Sequence, residues 1–159
     1  MTNYTKNYKS TYVKPESDYN MFDWAKKSHI DNFANFNGRA RRSEYWYTVL
    51  ADFIIQISVI IFAVILVLLS PELYPVSIFL YIIVVLYSLV VFIPGLAMTV
   101  RRLHDIGKSG TYLFFYFIPI AGPIILIIFL ATDSEPGENK WGPNPKNIIN
   151  KEIDLIGKE

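Results

Sequence analysis

Residues 45–100 read YWYTVLADFIIQISVIIFAVILVLLSPELYPVSIFLYIIVVLYSLVVFIPGLAMTV, with no Lys, Arg or His in the run. Only Asp52 and Glu72 carry charge there at neutral pH. A helix crossing the hydrocarbon core of a bilayer needs roughly 20 mostly apolar residues. The run is long enough for two such helices and divides at the Ser70–Pro75 turn. A third block, residues 111–131, carries no charge at all. The predicted fold is an all-α integral membrane protein with three transmembrane helices, about 45–69, 76–99 and 111–131. Each Val, Leu, Ile or Phe favours insertion by ~0.3–0.6 kcal/mol, against ~2.5–3.5 kcal/mol for an Asp at the helix centre. Asp52 lies near the start of the first span, so that span inserts despite it.

Composition agrees. The chain has 159 residues, 52% hydrophobic and 16% aromatic, with a mean hydropathy of +0.29. That is one membrane domain with polar tails: a tail over 1–20, the domain over 21–145, and a second tail over 146–159. A net charge of +1 argues against a nucleic-acid binder. With no cysteine there is no disulfide, thiolate catalysis or cysteine-ligated metal. Residues 1–20 lack the apolar stretch of a signal peptide and show no periodicity, which predicts a disordered tail. The closing IINKEIDLIGKE could form a turn or two of helix with an apolar side.

Between tail and first span, Phe22, Ala25, His29, Phe33 and Phe36 fall on one helical stripe. A helix with an aromatic face and neighbouring lysines suits the headgroup boundary, although it could instead pack on the protein's own loops. Asn37-Gly38 is a turn signal, and Ser43 is placed to cap the first long helix. Pro94-Gly95 interrupts the second span. In the third, Pro119 and Pro123 free two backbone carbonyls. We read the third as a kinked crossing, with a re-entrant hairpin of two short arms as the alternative.

More than half of the 15 Lys/Arg precede the first span, and Arg101, Arg102 and Lys108 lie between the second and third. The Ser70–Pro75 turn has none. The positive-inside rule therefore puts the N-terminus and a Val100–Gly110 loop in the cytoplasm. A third crossing would put the C-terminal tail outside.

Three polar segments stand out: Gly38-Arg39-Ala40-Arg41-Arg42-Ser43-Glu44-Tyr45-Trp46, then Arg101-Arg102-Leu103-His104-Asp105-Ile106-Gly107-Lys108-Ser109-Gly110, then Asn139-Lys140-Trp141-Gly142-Pro143-Asn144-Pro145. Their order and spacing, with Pro119 and Gly122 in the last span, resemble the bacterial inner-membrane family known as domain of unknown function 805. The resemblance covers about Trp24 to Pro145. Trp141 stands where that family usually has Tyr or Phe, and Asn144 where it usually has Asp. The resemblance implies a multi-pass protein of the bacterial plasma membrane with no assigned activity. It also implies structural roles for Gly38, Trp46, Gly107, Gly110, Pro119, Gly122, Asn139, Gly142, Pro143 and Pro145.

From the residues themselves, Arg39, Arg42, Arg101 and Arg102 can snorkel to the phosphates, and an arginine fork matches a phosphate. Glu44, His104 and Asp105 complete that candidate site for an anionic lipid or ligand. The plainer reading makes the arginines topology anchors, with Glu44 paired to one of them. His104, Asp105 and Ser109 could form a catalytic set in a lipid-modifying enzyme, but nothing nearby suggests an oxyanion hole. Two histidines do not make a metal site, Gly107-Lys108-Ser109 lacks the glycine frame of a P-loop, and no cofactor is expected. Asp52 and Gln56 share one face of the first span. Such a pair either bonds across helices, here to Thr99 or an arginine, or lines the polar path of an oligomeric transporter or channel component. The leading expectation is a non-enzymatic membrane protein whose arginine boxes engage anionic headgroups or a protein partner. Three spans make a thin bundle, so a homo-oligomer or a membrane-protein partner is expected too.

Overall fold

The computed structural model describes residues 14–146 and is helical throughout its regular parts. Most of both predicted tails lies outside that range. The described end of the first tail, however, belongs to the fold. A 3-10 turn over Glu16–Asp18 places Glu16 against Lys27 and Arg41.

Helix α1 (Met21–Lys26) starts at a reciprocal capping box between Asn20 and Asp23, then continues as a π-helical turn over Lys27–Asp31. The segment thus stops short of Phe36, and its buried side is Trp24 and Ser28 rather than the aromatic stripe. Phe22, Ile30, Phe33 and Phe36 stay exposed.

Helix α2 is Arg42–Leu69 and helix α3 is Tyr74–Asp105. A short 3-10 turn, Pro71–Leu73, joins them, with prolines where the missing N–H costs least. Both helices are long and apolar enough to cross a membrane. Two boundaries differ from expectation. Ser43 does not cap α2: the N-cap is Arg41, and the buried Ser43 hydroxyl has no partner among the described residues. The second helix also runs on through Pro94 to Asp105, so Arg101, Arg102, His104 and Asp105 stand on helix, not on a loop.

The third apolar block is not one kinked helix but two short arms. A 3-10 arm over Gly110–Phe117 leads to a turn at Ile118–Ile120 and back through α4 (Ala121–Ala131). With 8 and 11 residues, each arm spans only ~16 Å, about half a hydrocarbon core. The arms lie side by side, with Tyr112 and Phe115 ring centroids 5.8 and 6.4 Å from that of Phe129. They begin and end at the same place. Arg102 reaches the carbonyls of Leu130 and Thr132, and the Lys108 ammonium lies 4.6 Å from the Phe129 ring. The two-armed hairpin is the form observed, so the segment after α4 returns to the end of the bundle bearing the arginine boxes.

Buried residues concentrate at that charged end: Trp24, Ala40, Thr48, Ala51, Ala97, Met98, Leu103 and the box residues. The far halves of α2 and α3 form a two-helix ribbon that leaves Leu68, Phe79 and Leu89 exposed.

Candidate functional site

Two carboxylates organise the charged end. Glu44, in the first turn of α2, is completely buried. It takes a hydrogen bond of 2.8 Å from Arg101 and lies 3.0 Å from the Lys27 ammonium. Removing Lys27 from water disfavours its charge, but Glu44 and Glu16 outweigh that and hold its pKa above the ordinary 10.5. Behind this pair, the Thr48 hydroxyl donates to Ser28 across 3.2 Å, which ties the π turn onto α2.

Asp105, the last residue of α3, is equally buried. It accepts from Arg39 Nε at 3.0 Å, from the Ser134 hydroxyl at 2.6 Å and from Arg102. Arg39 then spends its remaining N–H groups on backbone carbonyls: Glu135 at 2.7 Å, Gly137 at 2.8 Å, Gly142 and Asp105 at 3.2 Å. Asn139 donates to the His104 carbonyl at 3.0 Å, and Trp141 stacks on the His104 ring with centroids 4.4 Å apart. The His104 Nδ1–H donates to the Gly38 carbonyl at 3.2 Å. Residues 132–145 thereby close over the box as a clasp.

This placement corrects the expectation that the boxes snorkel. Arg39, Arg101 and Arg102 have side chains at most 4% exposed, and each spends N–H groups inside the protein. Arg101 keeps Nε and Nη2 buried without a partner among the described residues. Arg42 alone of the four is exposed, and touches the Ala131 carbonyl at 3.4 Å. The catalytic set does not assemble either. Asp105 is saturated by arginines, the His104 ring is stacked, and the Ser109 hydroxyl accepts from the Thr111 amide at 3.4 Å.

The family profile described as "Protein of unknown function (DUF805)" matches residues 33–143, most of the chain. The chain belongs to the DUF805 family. Two proteins of Escherichia coli K12 are similar to it. Inner membrane protein YhaI is 36% identical over 119 residues, covering 75% of this chain and 92% of that protein. Inner membrane protein YhaH is 38% identical over 125 residues, covering 78% and 97%. No solved structure matches.

The DUF805 range therefore holds both boxes, the hairpin and the clasp as far as Pro143. Among the family-motif residues, Gly107 adopts a φ of 75°, the left-handed value that lets the chain turn off α3. A Cβ on Gly110 would lie 2.7 Å from the Val100 side chain, and one on Gly122 would lie 1.7 Å from the Phe115 carbonyl oxygen. Pro119 stands in the hairpin turn and Gly142 supplies a carbonyl to Arg39. Trp46 is half-exposed near the start of α2, while Pro143 and Pro145 flank the buried Asn144. Asn144 donates to the Glu135 carbonyl at 2.9 Å, which a carboxylate could not do.

Sequence reasoning missed one cluster. Asp52 pairs neither with Thr99 nor with an arginine: His29 Nε2–H donates to it at 2.9 Å and the Tyr87 hydroxyl at 2.8 Å. Four residues deeper, the Ser88 hydroxyl lies 3.2 Å from the Gln56 carboxamide and 2.9 Å from the Val84 carbonyl. The available signal was the isolated Tyr87-Ser88 pair within an aliphatic run, one helix away from Asp52 and Gln56.

Proposed function

We propose that this chain is a non-enzymatic, multi-pass protein of the bacterial inner membrane that engages anionic lipid headgroups from its cytoplasmic face. Helices α2 and α3 are the two crossings, the third block is re-entrant, and both the N-terminal segment and the clasp are cytoplasmic. The inner-membrane location is supported by the names of the two E. coli relatives. One observation carries the lipid reading. Around the neutralised boxes, Lys26, Arg42 and Lys140 stay exposed, and so do the apolar side chains Phe22, Ile30, Phe33 and Phe36 of the segment that carries Lys26. Cations flanking exposed aromatics are what a surface resting on an anionic leaflet requires. The buried arginines act one layer beneath, holding that surface together.

The test is lipid retention. Each basic residue near an anionic leaflet contributes ~1 kcal/mol, so replacing Lys26, Arg42 and Lys140 together with Ala should cut the preference for phosphatidylglycerol over phosphatidylethanolamine by up to about a hundredfold at low salt. Asp52→Asn should leave it unchanged. An undiminished preference in the triple variant removes the reading.

A transport role for the Asp52/Gln56 face is less well supported. Beyond Gln56 and Ser58, α2 is aliphatic and aromatic to Leu69, which offers no polar exit.

A further inference from the structure

Gln56 is only half satisfied. One end of its carboxamide meets the Ser88 hydroxyl at 3.2 Å, whose single proton the Val84 carbonyl at 2.9 Å also claims; whichever way the amide is turned, at least one of its N–H groups meets no described residue. Gln56 lines a recess of about 360 Å³ together with Val49, Asp52, Phe53, Ile57 and Ile60. All six stand on α2, at the three- and four-residue spacing of one helical stripe, so no other element supplies the facing wall. Gln56 lies fourteen residues into α2, ~21 Å along its axis, where the chain is surrounded by hydrocarbon. An amide donor facing lipid tails finds no acceptor there, and polar groups at such depth face protein or water.

We infer that the recess is closed by the same stripe of a second copy, making a parallel dimer about a two-fold axis along the membrane normal. The chemistry of residue 56 selects this occupant. Two copies with the same orientation bring each stripe residue against itself, so the group at the axis must be complementary to itself. A carboxamide is: each Nε2–H donates to the other copy's Oε1, and each amide keeps a second N–H and a second lone pair for its contact with Ser88. A carboxylate or an ammonium at that place would repel its mate. Asp52, one turn nearer the charged end, is already engaged by His29 and Tyr87 and carries no donor that needs a partner. Phe53 and Ile60, 61% and 38% exposed, flank the amide with apolar surface. Side-chain amides are among the groups that join helices within membranes. The inference is independent of the lipid reading, which concerns the cytoplasmic face.

The natural absence of cysteine makes the test direct. Single cysteines at Phe53 and Ile60 report the stripe, and at Ile54 and Ile61 the neighbouring exposed face. The full-length variants are reconstituted in proteoliposomes, or kept in native membranes, and oxidised with copper phenanthroline. The dimer predicts disulfide-linked pairs of this chain at positions 53 and 60, with at least tenfold less at 54 and 61. Adding Gln56→Leu should lower cross-linking at position 60 at least tenfold while the melting temperature in detergent holds; Gln56→Asn should restore much of it. Equal cross-linking at all four positions, none at 53 and 60, or linkage at those positions to a different protein would each overturn the dimer.

Discussion

Glu44 shows how a membrane-surface sequence hides its core. Its carboxylate is out of contact with water and faces Arg101 and Lys27. Replacing it with Gln leaves the Arg101 guanidinium buried without its counter-charge, which costs ~3–5 kcal/mol. Thermal unfolding in detergent should show this as a large drop in Tm, and the double variant Glu44→Gln/Arg101→Met should recover most of it, because the orphaned charge is gone. A simple loss of one hydrogen bond predicts no recovery. The pairing of Glu44 with a box arginine was legible from their positions at one membrane face. The inward direction of Arg39, Arg101 and Arg102 was not. Their partners are mostly backbone carbonyls of residues 130–142, and no side-chain pattern announces a carbonyl.

At the scale of elements, the two long helices were readable almost to their ends because hydrophobic length alone decides them. The third block was ambiguous for a physical reason: Pro119, Gly122 and Pro123 announce a break but not the angle across it. The arms choose the hairpin by contact, and Gly122 is where they touch. With a Cβ 1.7 Å from the Phe115 carbonyl oxygen, Gly122→Ala cannot close the turn without moving backbone. Overpacking of this kind costs ~1–3 kcal/mol, so the variant should melt several degrees lower and be cleaved faster by trypsin after Lys108 in detergent. Unchanged protease resistance would mean the arms do not pack as described. Helix α1 was legible in part at the same scale: Phe22, Phe33 and Phe36 of the aromatic stripe are exposed, whereas the buried side, Trp24 and Ser28, was not named by the stripe.

At the scale of the molecule, topology follows from the clasp. Because Ser134 donates to Asp105 and Arg39 grips the carbonyls of residues 135–142, the chain must leave α4 on the side where α2 begins and α3 ends. Cysteines placed singly at Ser77, Ser109 and Ser134 should react accordingly with an impermeant maleimide in intact cells. Ser77→Cys should label from outside, and Ser109→Cys and Ser134→Cys only after the membrane is opened. Labelling of Ser134→Cys in intact cells would restore a third crossing.

The clasp also has a place in time. Arg102 meets the carbonyls of Leu130 and Thr132, and Arg39 meets those of residues 135–142, all made late in synthesis. While the ribosome is still extending the hairpin, these guanidinium groups have Asp105 but none of those carbonyls to answer them. Both arginines are thus sealed into the core only once the last stretch emerges.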